Sequence, residues 1–177
     1  PVRIPTLRTA RSFQIPSLFD QPTGLEHLEL ALASPTGLGL KFWRSEGQLG
    51  QFRARSLELI DEVGLANLAD KVAGSLAYGQ KRALELALAL ALDPALLLLD
   101  EPTAGMGLED VDRTIALVRQ VARGRTVVLV DHNMNVVGSL SDQGTVLQQG
   151  KILAEGSYEE VRMDARVITA YLGQAHA

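Results

Sequence analysis

Two adjacent carboxylates, Asp100 and Glu101, directly follow the leucine run Leu96–Leu99. A short apolar run bounded by turn residues is typical of a strand buried on both faces in a parallel sheet, and Pro102 prevents the ladder from continuing. Open α/β sheets bind ligands outside the carboxyl ends of their strands, so these carboxylates stand where a ligand would lie. Taken alone, the pair would be interpreted as the solvent-facing end of a core strand.

The segment upstream of this strand makes a ligand site the better interpretation. Leu76–Gln80 contains a glycine turn, and the residues from Lys81 to Leu92 predict a helix whose interior is apolar on every side. Such a helix is expected in the buried layer of an α/β core, and Asp93 and Pro94 end it. A glycine turn, a buried helix and an apolar strand ending in Asp-Glu therefore follow one another.

This combination resembles the ATP-binding subunits of ABC transporters, in which Leu-Ser-Gly-Gly-Gln is the signature motif and the strand is the Walker B segment. The form Leu-x-Tyr-Gly-Gln is most similar to the subfamily that imports branched-chain amino acids, and to its urea and amide relatives. The resemblance implies an α/β fold: a partial P-loop NTPase core, a parallel sheet with flanking helices, plus an inserted helical subdomain. It also implies three regions: residues 1–23 with the first strand and the Q-loop, 24–75 with the helical subdomain, and 76–177 with the C-terminal part of the ATPase core.

The resemblance further implies roles for individual residues in binding and cleaving ATP. Asp100 would hold Mg²⁺, Glu101 would be the general base for the attacking water, and His132 would contact the γ-phosphate as the switch histidine. Gln14 in the Q-loop would reach both Mg²⁺ and the water. The signature would bind, in trans, the ATP held by a second ATP-binding subunit, and the D-loop would couple the two subunits. The signature residues are Leu76, Ala77, Tyr78, Gly79 and Gln80, and the D-loop residues are Ala104, Gly105, Met106 and Gly107.

Three departures from the family pattern limit what the resemblance implies. Ala77 stands where the family has serine, which removes a hydroxyl that would bond the γ-phosphate, and Gly107 stands where the family has aspartate or asparagine. The sequence contains no G-x-x-x-x-G-K-[ST] P-loop, because its one Gly-Lys pair, Gly150-Lys151, precedes an isoleucine. We therefore expect the chain to cover a C-terminal portion of the family's domain, to bind no ATP alone, and to self-associate through exposed strand edges.

Composition and charge set outer limits on function. The 177 residues are 46% hydrophobic, enough to bury a core, and the net charge of −4 argues against nucleic-acid binding. There is no cysteine, so neither a disulfide nor a thiolate metal site is expected. No apolar run approaches the ~20 residues of a membrane-spanning helix, and no signal peptide is recognised. We expect a cytoplasmic chain, peripheral on the inner face of the membrane, where the resemblance implies transmembrane permease subunits as partners.

Apolar spacing and turn residues predict the remaining elements. A buried strand over Thr126–Val130 follows a helix and lies parallel to Leu96–Leu99, which brings Asp100 and His132 to one edge of the sheet. The other predicted elements are a strand within Leu7–Phe13, helices over Gly24–Ser34, Ser45–Val63, Glu109–Arg123 and Arg166–Leu172, a hairpin of Thr145–Leu147 with Lys151–Ala154, and a helix opened by a capping box from Ser157 to Glu160.

Three functions remain open from the sequence. The first is a segment of an ABC-transporter ATPase that drives uptake of branched-chain amino acids or similar solutes. The second is a protein without its own nucleotide site that lends its signature or a docking surface to a partner, and the third is an ABC ATPase with a non-transport role. Phe42, Trp43 and Arg44 are interpreted as a packing corner rather than a surface for a membrane partner, and no role is assigned to His27 or His176.

Overall fold

A computed structural model of the protein describes residues 9–11, 18–34 and 52–174. Contacts divide the chain into two compact units, one of residues 1–130 and one of residues 131–177. Over the described ranges, the first unit holds a three-stranded sheet and four helices, and the second holds a two-stranded sheet and three helices. The strands are β1 (Thr9–Arg11), β2 (Leu96–Asp100), β3 (Thr126–Val130), β4 (Gly144–Gln148) and β5 (Lys151–Gly156); the helices are α1 (Gly24–Ala33), α2 (Arg53–Glu62), α3 (Tyr78–Ala91), α4 (Leu108–Val121), α5 (Met134–Leu140), α6 (Tyr158–Met163) and α7 (Ala165–Gln174).

The sheet of the first unit is parallel throughout its described strands, in the order β1-β2-β3. β2 lies in the centre, where Leu97 is paired with Ala10 on one side and with Val127 on the other. α4 connects β2 to β3, so the predicted parallel strand–helix–strand unit is confirmed. Asp100 is paired with Val130, which places the carboxyl ends of β2 and β3 at the same edge of the sheet.

The predicted burial on both faces is correct in part for β2 and wrong for β3. Leu97 and Leu99 of β2 are buried, with only 0% and 3% of their surface exposed. β3 instead exposes alternate residues, and Val128 and Val130 are 47% and 60% exposed. The exposed residues of β3 lie on one face of the strand, and their partners in β2, Leu96, Leu98 and Asp100, are less buried than Leu97 and Leu99, so this face of the sheet is less covered than the other. β3 is also the terminal strand of the described sheet, and a terminal strand leaves an edge of the kind that favours pairing with another chain.

α1, α2 and α3 pack against one another and supply much of the core of the first unit. α1 begins where the sequence predicts, because the Thr23 hydroxyl accepts the Glu26 N–H at 3.2 Å and the Glu26 carboxylate accepts the Thr23 N–H at 2.7 Å. α2 ends before Gly64, whose φ of +72° suits the predicted helix C-terminus. The large fully buried apolar side chains of these helices are Leu25, Leu28, Leu59, Ile60, Leu84 and Leu90.

Some predictions concern residues that the structure does not describe. Gln14, the Phe42–Arg44 segment, the first part of the helix predicted from Ser45, and His176 all lie outside the described residues. His27 is buried in α1, where its ring nitrogens contact the backbone of Phe19 and Thr23. None of the helices in the described ranges is long and apolar enough to cross a membrane.

α3 is buried as predicted, but it begins three residues earlier than Lys81 and is not apolar throughout its buried surface. Its start is fixed at Ala77, whose backbone is extended and whose N–H donates to the Gln80 side-chain oxygen at 3.0 Å. Arg82 and Glu85 are also buried, and their side chains form an ion pair with 3.0 Å between Nη1 and Oε2. A buried helix therefore carries a charged pair that spans its second and third turns.

The second unit confirms the predicted hairpin and capping box. β4 and β5 are antiparallel, and Gln149 and Gly150 both have positive φ values, +48° and +75°, as a two-residue hairpin turn requires. At the start of α6, the Glu160 carboxylate accepts the Ser157 N–H at 2.8 Å, and this bond lowers the pKa of Glu160. Hydrogen bonds from the Arg166 side chain lower the pKa of Asp164, before α7, to about 2. The buried residues of this unit's core cluster are Ala154, Val161 and Val167.

Candidate functional site

The two carboxylates predicted as the chemical centre end β2 and are partly exposed. Asp100 is the last residue of the strand, and the Glu101 N–H donates to the Val130 carbonyl oxygen at 2.7 Å. Glu101 has a φ of +44°, a left-handed conformation that costs a residue with a side chain about 1–3 kcal/mol. Asp93 and Gln149 also have positive φ values, +44° and +48°, so this conformation by itself assigns no chemical role to Glu101.

The residues predicted as the D-loop fold as two successive turns between β2 and α4. The Ala104 N–H donates to the Glu101 carbonyl oxygen at 3.1 Å, and the Met106 N–H donates to the Thr103 carbonyl oxygen at 3.3 Å. Gly105 has a φ of +74°, which glycine adopts without steric cost. A backbone hydrogen bond therefore connects this loop to Glu101, directly after β2.

The predicted signature residues form the start of α3. Tyr78, Gly79 and Gln80 occupy its first turn, and Ala77 precedes them as the N-cap residue without a side-chain oxygen to accept a helix N–H. A Cβ atom placed on Gly79 would lie 3.5 Å from the carboxyl carbon of Asp110, so this glycine packs beside the start of α4. The N–H groups and dipole at the start of a helix favour an anion, which makes this end suited to a phosphate.

His132 follows β3 by two residues and belongs to the second unit. Its side chain is 75% exposed, whereas the side chain of the preceding Asp131 is 1% exposed. The Asp131 carboxylate accepts the Asn133 N–H at 2.8 Å, and the Asn133 side chain accepts the Asn135 N–H at 3.0 Å at the start of α5. The predicted switch histidine is thus an exposed side chain on a hydrogen-bonded turn.

Magnesium is the metal that the predicted chemistry needs. Within residues 9–11, 18–34 and 52–174, no three His, Asp or Glu side chains form a group that could hold a metal ion. Mg²⁺ does not need such a group, since it keeps several waters and is bound through one or two carboxylates together with substrate phosphates. Asp100 and Glu101 offer carboxylates of that kind, so the described residues fit the ion, while Gln14 lies outside them.

A cavity of about 500 Å³ opens between the end of α2, the start of α3 and α4. Gly79 and Gln80 lie on its wall together with Leu99 and Pro102 from the end of β2. The described residues that line it do not include either carboxylate of the Asp-Glu pair. The cavity therefore brings two signature residues next to the end of β2 but does not include the Asp-Glu pair among its described lining residues.

Comparison with known families decides which family these elements represent. The family model described as "ABC transporter" matches residues 3–104, which is more than half of the chain. The chain belongs to the ABC transporter family. A second model, described as "Branched-chain amino acid ATP-binding cassette transporter", matches residues 151–177.

Two curated relatives show how far this ABC transporter likeness extends. The high-affinity branched-chain amino acid transport ATP-binding protein BraF of Pseudomonas aeruginosa is 39% identical over 175 residues, which cover 93% of this chain and 68% of the relative. The corresponding protein LivG of Salmonella typhimurium is 34% identical over 184 residues, which cover 98% of this chain and 71% of the relative. The likeness therefore includes nearly the whole of the present sequence.

Solved ATP-binding cassettes have the same fold. An ABC-transporter cassette in its ADP conformation is similar with a TM-score of 0.76 at 27% identity, over 93% of this chain and 68% of that chain. A nucleotide-free cassette is similar with a TM-score of 0.74 at 26% identity, over 92% of this chain and 68% of that chain. These likenesses confirm the predicted α/β class with the P-loop NTPase type of parallel sheet.

The structure explains what the family's usual residues would do at Ala77 and Gly107, the two positions that differ from the family pattern. Ala77 is the N-cap of the signature helix α3, and Gly107 is the N-cap of α4, with φ −72° and ψ 164°. A Cβ atom placed on Gly107 would meet nothing within 4 Å, so the family's aspartate or asparagine fits there without a clash. Serine, aspartate and asparagine are strong N-cap residues. Both departures therefore leave a helix start without its side-chain cap.

Replacing Ala77 with serine should stabilise the chain by about 0.5–2 kcal/mol, because the hydroxyl would accept a first-turn N–H and complete the capping box that Gln80 half forms. Urea denaturation measures the change in the free energy of unfolding. Ala91→Ser, at the other end of α3, serves as the control and should give no gain.

In a chain that also carries a P-loop, the same Ala77→Ser change should raise ATP hydrolysis if it has any effect. Loss of ATP-dependent dimerisation in that variant would show that this position has been misinterpreted.

Sequence reasoning missed two features near the predicted site. The first is the buried carboxylate of Asp131, whose signal was its place directly before His132, after a run of apolar strand residues. The second is the buried pair of Arg82 and Glu85, whose signal was opposite charge at i,i+3 spacing in an otherwise apolar helix. In both cases the sequence shows the charge but not its burial.

Proposed function

We propose that the chain forms part of an ATPase subunit that couples ATP binding and hydrolysis to the import of branched-chain amino acids or similar solutes. The observation that carries this proposal is the 39% identity, over 93% of the chain, to the branched-chain amino acid transport protein BraF. The match of residues 151–177 to the branched-chain cassette model supports it from a part of the chain outside the 3–104 match.

In the proposed mechanism, water attacks the γ-phosphorus, the bond from that phosphorus to the β–γ bridging oxygen breaks, and ADP leaves. Glu101 orients the water and accepts its proton, from a backbone position fixed by the ladder bond to Val130. His132 would contact a γ-phosphate oxygen, as the resemblance implies. Asp100 would hold Mg²⁺, which would supply charge neutralisation at the phosphates. Gln14, which lies outside the described residues, would be a ligand for Mg²⁺ and a contact for the water, as the resemblance implies.

The signature would act between subunits. The first-turn N–H groups of α3 would approach the phosphates of ATP bound to a second ATP-binding subunit, and Gly79 allows the close approach. The D-loop, Ala104 to Gly107, would couple the two subunits.

Transmembrane permease subunits complete the proposed assembly, with this subunit peripheral on the cytoplasmic face of the membrane. We retain the three regions 1–23, 24–75 and 76–177 as the proposed functional division of the chain.

Transport in vesicles tests this proposal. A version of the chain that carries a P-loop ahead of Pro1 would be reconstituted with its permease subunits, with ATP on the same side as the ATPase. We expect ATP-dependent uptake of radiolabelled leucine, isoleucine or valine, or of a similar small solute, and no uptake with a non-hydrolysable ATP analogue. ATP hydrolysis that no such solute stimulates, without any uptake, would contradict the import role and favour a non-transport ABC ATPase.

The second candidate function is a subunit that lends its signature without holding its own nucleotide. This candidate differs from the first in placing the ATP entirely on a partner subunit, which the first-turn N–H groups of α3 would approach. Mixing this chain with an ABC subunit that has a P-loop distinguishes the two candidates. A rise in hydrolysis by that subunit, lost when Gly79 is replaced with a bulky residue, would support the lending role.

The 177-residue chain alone should show no ATP binding in the micromolar range and no hydrolysis. It has no P-loop nest of N–H groups or lysine to hold the β- and γ-phosphates, and its net charge of −4 repels ATP. The exposed edge of β3 should cause self-association. Calorimetry with Mg-ATP and a light-scattering mass measure both properties. Micromolar binding by a monomer would contradict both expectations at once.

A further inference from the structure

The helix that carries the signature begins without a side-chain cap, so contacts of the preceding chain contribute to its position. Ala77 offers no side-chain oxygen to a first-turn N–H, and the Gln80 side chain accepts only the Ala77 N–H. Leu76, directly before them, is buried with 6% of its surface exposed, and its N–H donates to the Ala73 carbonyl oxygen at 3.2 Å. The chain that leads into the signature is therefore ordered, and its own contacts are informative.

This chain pairs, backbone to backbone, with a segment that is distant in sequence. The lead-in segment, residues 69–74, lies antiparallel to the entry segment, residues 19–25, with Thr23 and Val72 as bridge partners. The N–H groups that donate between the two segments are those of Gly74 to Asp20 at 3.0 Å, Ala73 to Pro22 at 2.9 Å, Gly24 to Lys71 at 3.2 Å and Leu25 to Ala69 at 3.0 Å. The segment before the signature is thus joined along its length to the segment before α1.

At Gly74 the two segments approach so closely that a side chain does not fit. A Cβ atom placed on Gly74 would lie 2.9 Å from the Asp20 carbonyl oxygen and 3.2 Å from the Asp20 Cβ atom. That oxygen belongs to the backbone, so it does not rotate away as the end of a long side chain would. Any side chain at this position would therefore displace either the entry segment or the chain that continues from Gly74 to the signature.

His27 attaches the entry segment to α1. The His27 side chain is buried, its Nε2 atom accepts the Phe19 N–H at 3.1 Å, and its Nδ1 atom lies 2.8 Å from the Thr23 carbonyl oxygen. The Phe19 and His27 rings are stacked, with 6.1 Å between their centroids. Since α1 itself packs against α3, the entry segment is held by a helix as well as by the lead-in segment.

We propose that Gly74 and His27 are positioning residues for the signature, which hold the entry and lead-in segments together and thereby fix the position of the first turn of α3. The entry segment follows β1, which pairs with the strand that ends in Asp100. This inference rests on the proposed function, in which the first-turn N–H groups of α3 approach ATP on a second subunit. A contact that served only global stability would affect all of α3 equally.

Residue-resolved amide hydrogen exchange in the 177-residue chain tests the contact without nucleotide. In Gly74→Ala, the hydrogen-bonded N–H groups of Leu76, Ala77 and Lys81 should exchange roughly tenfold faster, because the start of α3 loses its support. The N–H groups in the second half of α3 should change by less than about twofold. Gly144→Ala is the control, because a Cβ atom placed there would meet nothing within 4 Å, and it should change neither set.

His27→Leu tests the same contact without adding a side chain at the close approach. It removes the ring nitrogens that contact Phe19 and Thr23, so it should loosen the entry segment from α1. The three N–H groups at the start of α3 should again exchange faster in preference to those in its second half. Equal acceleration along the whole of α3 in both variants, or none in either, would overturn the inference.

The unsubstituted chain provides a test that does not depend on whether a variant folds. If the pairing holds the signature, the N–H groups of Ala73 and Gly74 should be at least as protected as those of Leu76 and Lys81. Much faster exchange at Ala73 and Gly74 would show that the pairing opens without moving the signature, and this would overturn the inference.

ATP hydrolysis by a chain with a P-loop separates this inference from the proposed function. Gly74→Ala should lower kcat roughly tenfold with ATP affinity kept, because it displaces the signature and not the residues that would hold the chain's own nucleotide. Gly144→Ala should hydrolyse ATP at the unsubstituted rate. Unchanged kcat in Gly74→Ala, despite faster local exchange, would overturn the positioning role. If a bulky residue at Gly79 leaves hydrolysis unchanged, the proposed role of the signature fails, whereas the exchange result stands.

Discussion

Glu101→Gln should abolish most ATP turnover while leaving ATP binding intact. Glutamine keeps the shape of the side chain but does not accept a proton from the attacking water, so the loss falls on kcat rather than on affinity. A positioned general base contributes about 10²–10⁴-fold, and we expect kcat to fall within that range. Glutamine makes the same backbone demands at the φ of +44°, so the strained turn should survive the substitution.

The measurement needs a chain that carries a P-loop ahead of Pro1, in which steady-state hydrolysis and equilibrium ATP binding are compared. Glu109→Gln is the matched control, because that glutamate lies in the first turn of α4 with a side chain that is 91% exposed. The control should hydrolyse ATP at the unsubstituted rate. Near-normal hydrolysis by the Glu101→Gln variant would remove Glu101 from its proposed role.

The largest expected effect on stability comes from the buried pair in α3. Arg82 and Glu85 have side chains only 5% and 8% exposed, with 3.0 Å between Nη1 and Oε2. Glu85→Ala removes this carboxylate from a guanidinium that is little exposed to water and that also lies over the Tyr78 ring, 5.7 Å from its centroid. Breaking a buried pair in this way costs about 3–5 kcal/mol. Urea denaturation of the 177-residue chain measures the loss in the free energy of unfolding.

Two variants separate the effect of burial from that of charge. Glu58→Ala removes a carboxylate at the same i,i+3 spacing from Arg55, but those side chains are 65% and 47% exposed, so the cost should stay below about 1 kcal/mol. The double change Arg82→Met with Glu85→Leu replaces the buried pair with apolar side chains and should cost less than Glu85→Ala alone. If Glu85→Ala costs no more than Glu58→Ala, the pair does not contribute as we infer.

Elements defined by local signals could be predicted from the sequence. The limits of β3 were correct because the apolar run Thr126–Val130 is bounded by a turn on one side and by polar residues on the other. The hairpin of β4 and β5 was predicted because Gly150 tolerates positive φ in a two-residue turn. The capping box at Ser157 depends on bonds between residues three apart, which sequence spacing alone can indicate.

Properties that depend on neighbours distant in sequence could not be predicted. β3 was expected to be buried, but its alternate residues are exposed because one face of the sheet is less covered than the other, which the run of valines does not encode. α3 begins earlier than predicted because the Gln80 side chain accepts the Ala77 N–H. The apolar residues from which the helix was predicted begin only after this bond. The burial of Arg82 and Glu85 follows from packing of α3 among other helices.

For the candidate site, too, some properties could be predicted from the sequence and others only from the tertiary structure. The sequence by itself indicated the ABC transporter family and the candidate residues, because motif residues and their spacing can be recognised without knowledge of the fold. These residues are Asp100, Glu101, the signature residues and His132. Only the tertiary structure decided that Glu101 has a left-handed backbone and that a buried Asp131 lies beside His132. The bond from the Glu101 N–H to the Val130 carbonyl oxygen joins residues far apart in sequence, so the backbone path after β2 depends on the pairing of β2 with β3, which the motif does not encode.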